Sequence, residues 1–307
     1  MLEIENLNLR YNNHHALKDL SLQIHAGELI GIIGPNGAGK TSFVKALCGR
    51  VKHDGLIKIS QKILKHGADR RTHIGLVPQD IGLYPHLTAT ENLSLIGQLL
   101  KVPKKQIRQT VQAALDAVDM NAHEGKRIAN MSGGMKRRIN VAAAIMHKPS
   151  IVIFDEPTAG VDAPARDTVH RLAKSLSQRG MAVLLITHEL EHAEALCDKI
   201  LILNRGTVLD FNTPTNILSR NFKGARIVKV RYATPPDSQT VAAMKAFEFS
   251  QGEHSTIWTA MTQASEVSFV SAFMSALHGA NETIREISVS RPGLTALMHK
   301  IENVNKS

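Results

Sequence analysis

The chain has 307 residues, 43% of them apolar, with 37 Lys and Arg against 27 Asp and Glu for a net charge of +10. That length predicts about two domains, and the basic balance points to a nucleotide, a nucleic acid or an anionic membrane surface as neighbour, with a well-solvated surface as the bland alternative. Only 4% of the residues are aromatic, too few to stack single-stranded bases, so no nucleic acid is expected. Cys48 and Cys197 make no disulfide framework and suit a reducing compartment. Residues 1–5, Met-Leu-Glu-Ile-Glu, carry acids where a secretory signal would carry bases. No apolar run approaches the ~20 residues of a spanning helix; any transmembrane work is expected of a partner.

In chain order, residues 2–9 and 20–24 alternate apolar and polar side chains, which predicts strands. The apolar run 29–33 leads into Gly34-Pro35-Asn36-Gly37-Ala38-Gly39-Lys40-Thr41, with Ser42 opening a helix-like stretch. This is G-x-x-x-x-G-K-[ST] in a strand–turn–helix setting, the phosphate-binding loop. Its glycines let backbone N–H groups converge on an anion, and the helix N-terminus adds partial positive charge. Lys40 is expected to reach the β- and γ-phosphates of ATP, and the Thr41 hydroxyl to ligate Mg²⁺.

Short strands follow near 55–59. Residues 86–128 have helical periodicity, and a further helix is predicted over 131–147. A buried strand at 151–154, a helix over 163–178 and a second buried strand at 182–186 complete the pattern. Strands alternating with helices predict a largely parallel sheet covered on both faces. A domain boundary is expected near 219–224. Beyond it the order is strand (227–232), helix (239–246), strand (247–249), strand (256–259), helix (266–278) and strand (283–289), the β-α-β-β-α-β order of a ferredoxin-like module. A last helix is predicted from Pro292 to Ile301, with Ser290 as its cap.

Two further constellations carry chemistry. The strand 151–154 ends in Asp155-Glu156. Asp155 is expected to hold Mg²⁺, while Glu156, whose side chain faces the other way in an extended segment, orients or deprotonates the attacking water. Ser132-Gly133-Gly134, placed before a helix, offers a second anion nest.

The ordered set resembles the ABC family of ATPases over residues 1 to about 218. On that resemblance, Tyr11 stacks on adenine and Gln79 senses Mg²⁺ and water and couples to the permease. Residues 131–135 are the signature, 159–162 contact the opposing subunit, and His188 is the switch on the γ-phosphate. Met131 and Met135 replace the usual Leu and Gln, a form similar to the subgroup exporting drugs, antibiotics, ions and polysaccharides. The other fourteen histidines are expected at the surface, and no second metal-ligand spacing stands out.

The resemblance implies a P-loop NTPase over 1–220, with a RecA-like core and a helical subdomain at about 80–135, and a small α+β accessory domain over 225–307. It implies ATP and Mg²⁺ as cofactors, a transmembrane permease as partner, and a second ATPase subunit, a homodimer being feasible since both motif sets are intact. The expected location is peripheral, on the cytoplasmic face of the membrane. Import remains the alternative to export. A soluble ATPase acting on ribosomes or DNA is the third reading; such proteins usually carry two ATPase cores or long coiled-coil insertions, and this chain has one phosphate loop and a short 40-to-132 interval. Lys101, Lys104 and Lys105 and the run Lys136-Arg137-Arg138 read as solvated faces or as contacts for anionic lipid headgroups.

Overall fold

The computed structural model describes residues 1–60, 62–63, 70, 72–252, 254–277 and 284–306. The chain divides into two compact units, Met1–Pro214 and Thr215–Ser307. The sequence places the boundary near 219–224, which falls within and just after a helix, Pro214–Phe222. By compactness nearly all of that helix goes with the second unit.

In the first unit, β1 (Leu2–Tyr11) and β2 (His14–Ile24) form a hairpin, and β3 (Leu29–Ile33) runs into α1 (Lys40–Leu47). β4 (Asp54–Ile59), β5 (Lys62–Ile63) and β6 (Ile74–Val77) follow. The helical stretch holds α2 (Ala89–Leu99) and α3 (Lys104–Ala117), then two single 3₁₀ turns at 121–123 and 128–130. The helical periodicity read over 86–128 is thus carried by two helices and two short turns. After it come α4 (Gly133–Ile145), β7 (Ile151–Asp155), α5 (Ala163–Gln178), β8 (Ala182–Ile186), α6 (Leu190–Leu196), β9 (Lys199–Asn204) and β10 (Thr207–Asn212). α4 is shorter than the predicted 131–147 because Ser132 caps it; α5 has the predicted bounds.

Two sheets carry the unit. A six-stranded sheet has the order β10-β9-β3-β8-β7-β6, and an antiparallel one the order β2-β1-β4-β5. β9, β3, β8, β7 and β6 run parallel to one another, and β10 is antiparallel to β9. The cause is visible in composition: β3 and β8 are buried at every position, and β7 at all but its last. Such runs, apolar on both faces, suit a sheet covered by helices on each side. Their side chains join those of β1 and β2 in one core that includes Leu2, Leu17, Phe43, Ile153 and Leu184. The helical segment starts cleanly: Thr88 accepts from the Glu91 backbone N–H while the Glu91 carboxylate accepts from Thr88 N–H, a capping box.

In the second unit, α7 (Pro214–Phe222) leads to β11 (Arg226–Tyr232), α8 (Ser238–Ala246), β12 (Ser250–Gln251), β13 (Ile257–Thr262), α9 (Glu266–Ala276), β14 (Ile284–Ser290) and α10 (Leu294–Lys306). The sheet is antiparallel, in the order β12-β13-β11-β14. Read in the order of strands within this module, that is 2-3-1-4, the arrangement a β-α-β-β-α-β chain adopts when each helix joins two strands that are consecutive in sequence but not adjacent in the sheet. Seven of the twelve Phe, Tyr and Trp residues lie in this unit, and its core is correspondingly aromatic. The Phe249 and Phe273 rings are 4.7 Å apart, and Phe247 meets Phe273 edge-on at 5.6 Å.

Two boundaries in this unit are displaced most from expectation. The predicted strand at 247–249 sits at Ser250–Gln251, because Phe247 still closes α8 and Phe249 turns into the core. The last helix starts at Leu294, and Ser290 ends β14. Residues 278 and 283, the predicted end of one helix and start of one strand, lie outside the described residues.

Candidate nucleotide site

Four segments predicted to carry chemistry leave the same edge of the sheet. β3, β8, β7 and β6 are consecutive parallel neighbours, with Ile32 opposite Ile186, Ile186 opposite Asp155, and Val77 opposite Phe154. Their C-terminal ends therefore line up. The phosphate loop follows β3, His188 follows β8, Asp155 ends β7 with Glu156 next, and Gln79 follows β6. In open α/β sheets this edge is where ligands bind.

The phosphate loop is held from behind. A Cβ at Gly34 would lie 2.1 Å from the Leu203 carbonyl oxygen, and one at Gly39, where φ is +107°, would lie 2.7 Å from the Ala16 carbonyl oxygen. Only glycine lets the backbone come this close. Gly206 N–H donates to Ala38 O at 2.9 Å, and Lys18 N–H to Gly206 O at 2.8 Å. The β9–β10 turn and β2 thus brace the loop. Gly206, Ala16 and Leu203 were not singled out in the sequence; their only local signal is Asn204-Arg205-Gly206, a turn at a strand end. Asn36 and Gly37 are exposed, Pro35 is half-buried, and Thr41 and Ser42 start the first turn of α1.

Lys40 is buried at 8% exposure, and its Nζ donates to Gly34 O at 2.6 Å and Pro35 O at 3.1 Å. Burial pushes its pKa down, and the nearby charges of Glu156 and Asp155 oppose that. Asp155 shows the reverse: burial raises its pKa, the Glu156 carboxylate raises it further, and Arg50 and Lys40 partly offset both. The lysine of one motif and the acids of another therefore share one electrostatic site.

Glu156 is not extended. Its φ is +48°, a left-handed conformation, and its N–H donates to Ile186 O at 3.0 Å. The two acids are therefore not set apart by the alternation of an extended segment; this turn is what separates them. Glu156 Oε1 lies 2.7 Å from His188 Nε2, so two residues singled out separately, in distant motifs, are in contact. Behind it, Glu189 gathers Arg166 Nε at 2.8 Å and the Thr158 hydroxyl at 3.0 Å, with His170 Nε2 at 3.4 Å. That cluster ties the segments after Glu156 and His188 together and is not visible in any short motif.

Tyr11 ends β1 with 39% of its surface exposed, opposite His14. Gln79 is exposed, and its carbonyl accepts from Arg137 Nη1 at 2.7 Å, as does that of Pro78 at 3.0 Å. This corrects the reading of Lys136-Arg137-Arg138 as a solvated or lipid-facing run. Arg137 is 3% exposed and inside, and Arg138 pairs with Asp119 at 3.5 Å. His170 is buried as well, at 5% exposure, against the expectation of surface histidines.

Ser132 lies elsewhere. Its Oγ accepts from Met135 N–H at 3.3 Å and caps α4. Ser132, Gly133 and Gly134 line an open cleft of about 1010 Å³ together with Gly160, Asp162 and Ala165. None of Lys40, Gln79, Asp155, Glu156 or His188 lines it. Asp162 caps α5 by accepting from Ala165 N–H at 3.0 Å.

A phosphate loop, a strand-end acid pair and a histidine on one edge of a parallel sheet define a P-loop NTPase. Comparison with known proteins carries this further. The ABC transporter family matches residues 17–159. The linearmycin resistance ATP-binding protein LnrL of Bacillus subtilis (strain 168) is 38% identical over 222 residues, covering 72% of this chain and 71% of that one. The Nod factor export ATP-binding protein I of Ralstonia nicotianae is 31% identical over 245 residues, covering 79% and 76%. The glutamine transport ATP-binding protein GlnQ of Geobacillus stearothermophilus is 32% identical over 227 residues, covering 71% and 93%. Among solved structures, cbiO1 from Clostridium perfringens, part of the ABC transporter complex cbiONQ, matches with a TM-score of 0.66 and 27% identity over 72% of this chain and 91% of that one. A dimeric post-hydrolysis state of the cassette MJ0796 bound to ADP and Pi matches with a TM-score of 0.59 and 26% identity over 69% and 98%.

The chain belongs to the ABC transporter ATP-binding proteins. It is an ATP-binding subunit and an ATPase; such subunits dimerise and work with transmembrane components. Among the described residues, no helix is long and apolar enough to cross a membrane.

Proposed function

We propose that this chain powers an exporter: two copies pair head to tail around ATP and Mg²⁺, and their closure drives a separate transmembrane permease at the cytoplasmic face of the membrane. The observation that carries the reading is the separation just described. The Ser132 nest opens on a cleft that holds none of the phosphate-edge residues, so each chain has a phosphate site without a signature and a signature without a phosphate. A two-fold pair supplies both at once. The γ-phosphate is the group that rewards closure, and its loss on hydrolysis releases it.

The donors offered to a metal fit Mg²⁺: the Thr41 hydroxyl, the Gln79 amide oxygen and the Asp155 carboxylate are all hard oxygen ligands. The crowding of Asp155 by burial and by Glu156 is the charge imbalance a dication relieves. Bound there, Mg²⁺ supplies charge neutralisation on the β- and γ-phosphate oxygens. Lys40, now on the carbonyls of Gly34 and Pro35, turns to the phosphates. Backbone N–H groups of Gly37, Gly39 and Lys40 receive phosphate oxygens, and Tyr11 stacks on the base. Glu156 accepts the proton of the attacking water as its oxygen bonds to the γ-phosphorus and the bond to the β-phosphate oxygen breaks. His188 holds Glu156 until a γ-phosphate arrives and then donates to it.

The permease docks where the core meets the helical segment. A pocket of about 440 Å³ opens there, lined by Cys48, Arg50, Pro78, Gly82, Ile96 and Leu100 among others. It begins one residue before Gln79, so a segment seated in it feels the nucleotide. Lys101, Lys104 and Lys105 are exposed and left to anionic headgroups, at about 1 kcal/mol each near the surface. Export is favoured by the Ser-Gly-Gly-Met-Lys-Arg-Arg form and by the export names of relatives; import is the second reading, favoured by the match to GlnQ over 93% of its length.

The test is purification of tagged Glu156→Gln protein from gently solubilised membranes in ATP–Mg²⁺. A polytopic membrane protein at near-equal stoichiometry supports the reading, and its sequence separates export from import. Ribosomes, nucleic acid or no membrane partner overturn it.

A further inference from the structure

We propose that the chain binds one transition-metal dication, of the Zn²⁺ or Co²⁺ kind, between α5 and α6 through Asp167, His170 and His192. Asp167 and His170 are three apart on α5 and so share a face; His192 comes from α6. One ligand atom from each lies within 4.8 Å of the others. The two imidazole rings stand 4.9 Å apart, tilted by 42°. They are close enough for one ion to serve both after small side-chain rotations.

The state of His170 is the second observation. It is 5% exposed, and its Nε2 is buried without a hydrogen bond, 3.4 Å from Glu189 Oε2. A buried polar atom left without a hydrogen bond is unfavourable, and an ion drawing this ring into a coordinated position relieves that.

The donor chemistry distinguishes this place from the nucleotide edge. Two imidazole nitrogens and a carboxylate suit Zn²⁺, Co²⁺ or Ni²⁺, whereas the all-oxygen set at Thr41, Gln79 and Asp155 suits Mg²⁺. Glu189 is already engaged by Arg166 and Thr158. It serves as the outer carboxylate that orients His170, an arrangement common behind metal-bound histidines. Asp167 is exposed and His192 half-buried, so an ion has a way in. Bound here, it joins the helix that Asp162 starts in the Ser132 cleft to the helix that follows His188.

The experiment titrates Co²⁺ into the purified full chain held in Mg²⁺–ADP, reading the visible absorption of low-coordinate Co²⁺ and the heat of binding. One Co²⁺ per chain, displaced by Zn²⁺, is expected. His192→Gln and Asp167→Asn, both at accessible positions, should each weaken binding at least about tenfold with unchanged thermal melting of the metal-free protein. Glu156→Gln should bind Co²⁺ as the unaltered chain does. No low-coordinate signal, equal binding by His192→Gln, or loss of binding in Glu156→Gln would each overturn the assignment, the last by moving the ion to the nucleotide edge.

Discussion

The phosphate loop and the Ser132 turn are both glycine-bearing entries to a helix, yet the chain treats them differently. At the first, Gly34 and Gly39 are pressed against the backbone of β9 and β2, and Lys40 is buried with its charge satisfied by two carbonyls. At the second, Ser132 and Gly133 are exposed, and a Cβ at Gly133 would meet nothing within 4 Å. Gly34 and Gly39 are required by this chain's own packing. The first glycine of the turn is not. A loop braced by its own fold and a turn left open can thus be told apart by asking what a methyl group would strike.

The strongest way to break this comparison is within the loop. Gly34→Ala drives a methyl into the Leu203 carbonyl at 2.1 Å; the β9 backbone cannot retreat without opening the sheet. We expect loss of ATP binding by equilibrium dialysis and a melting temperature far below that of the unaltered chain. Gly37→Ala adds a methyl that meets nothing, at a φ of +79°, and should cost only the ~1–2 kcal/mol of a left-handed non-glycine residue. Equal effects from the two would remove the distinction between packed and open glycines. Next in size is Glu156→Gln, expected to retain ATP and lower turnover by on the order of 10²–10⁴. Near-normal turnover, measured as phosphate release, would remove Glu156 from the role of base.

Much of this was legible in the sequence, and the failures share a cause. The continuous apolar runs of β3, β7 and β8 announce a parallel sheet because burial on both faces leaves no alternation. Once those strands are adjacent, the residues following them must meet at one edge. What could not be read depends on contacts between distant segments. The left-handed turn at Glu156 is held by the Ile186 carbonyl, and Arg137 is drawn inside by carbonyls 58 and 59 residues earlier in the chain. In sequence, Lys136-Arg137-Arg138 has the look of a solvated face, since nothing local records that the middle residue has acceptors waiting. His170 is hidden for the same reason. In the second unit the element order sufficed for the module, but β12 is two residues long, too short to show a period.

A smaller effect tests whether the nucleotide edge is strained for function. Asp155 has its pKa raised by burial and by Glu156. A carboxyl raised in the folded state contributes most to stability below its ordinary pKa and loses that contribution as pH rises through the folded value. At neutral pH its charge therefore opposes folding. Asp155→Asn should raise the melting temperature of the nucleotide-free protein at pH 7. The gain should disappear as pH falls below the ordinary carboxylate range. Mg²⁺-dependent ATP hydrolysis should be lost in the same variant. A lower melting temperature at pH 7 would mean that Asp155 is held by favourable partners rather than by a site awaiting a cation.

The smallest expected change in stability is the most discriminating for the open nest. Gly133 is the first residue of α4, and its substitution by Ala meets no atom and requires no unusual backbone angle. Ala is the better helix former, so Gly133→Ala should leave the isolated chain as stable or slightly more so, by less than the ~1 kcal/mol seen in helix interiors. Nothing in one copy explains a glycine here. In a head-to-tail pair the same methyl would point at the γ-phosphate held by the other copy and keep the backbone N–H from reaching it. The variant should then bind ATP with unchanged affinity as a monomer while losing ATP-dependent dimerisation of the Glu156→Gln background, read by light scattering. If dimerisation persists, the turn does not receive the partner's phosphate. If monomer stability falls instead, the glycine is required within the chain after all, and the contrast between the two cradles fails at its second member.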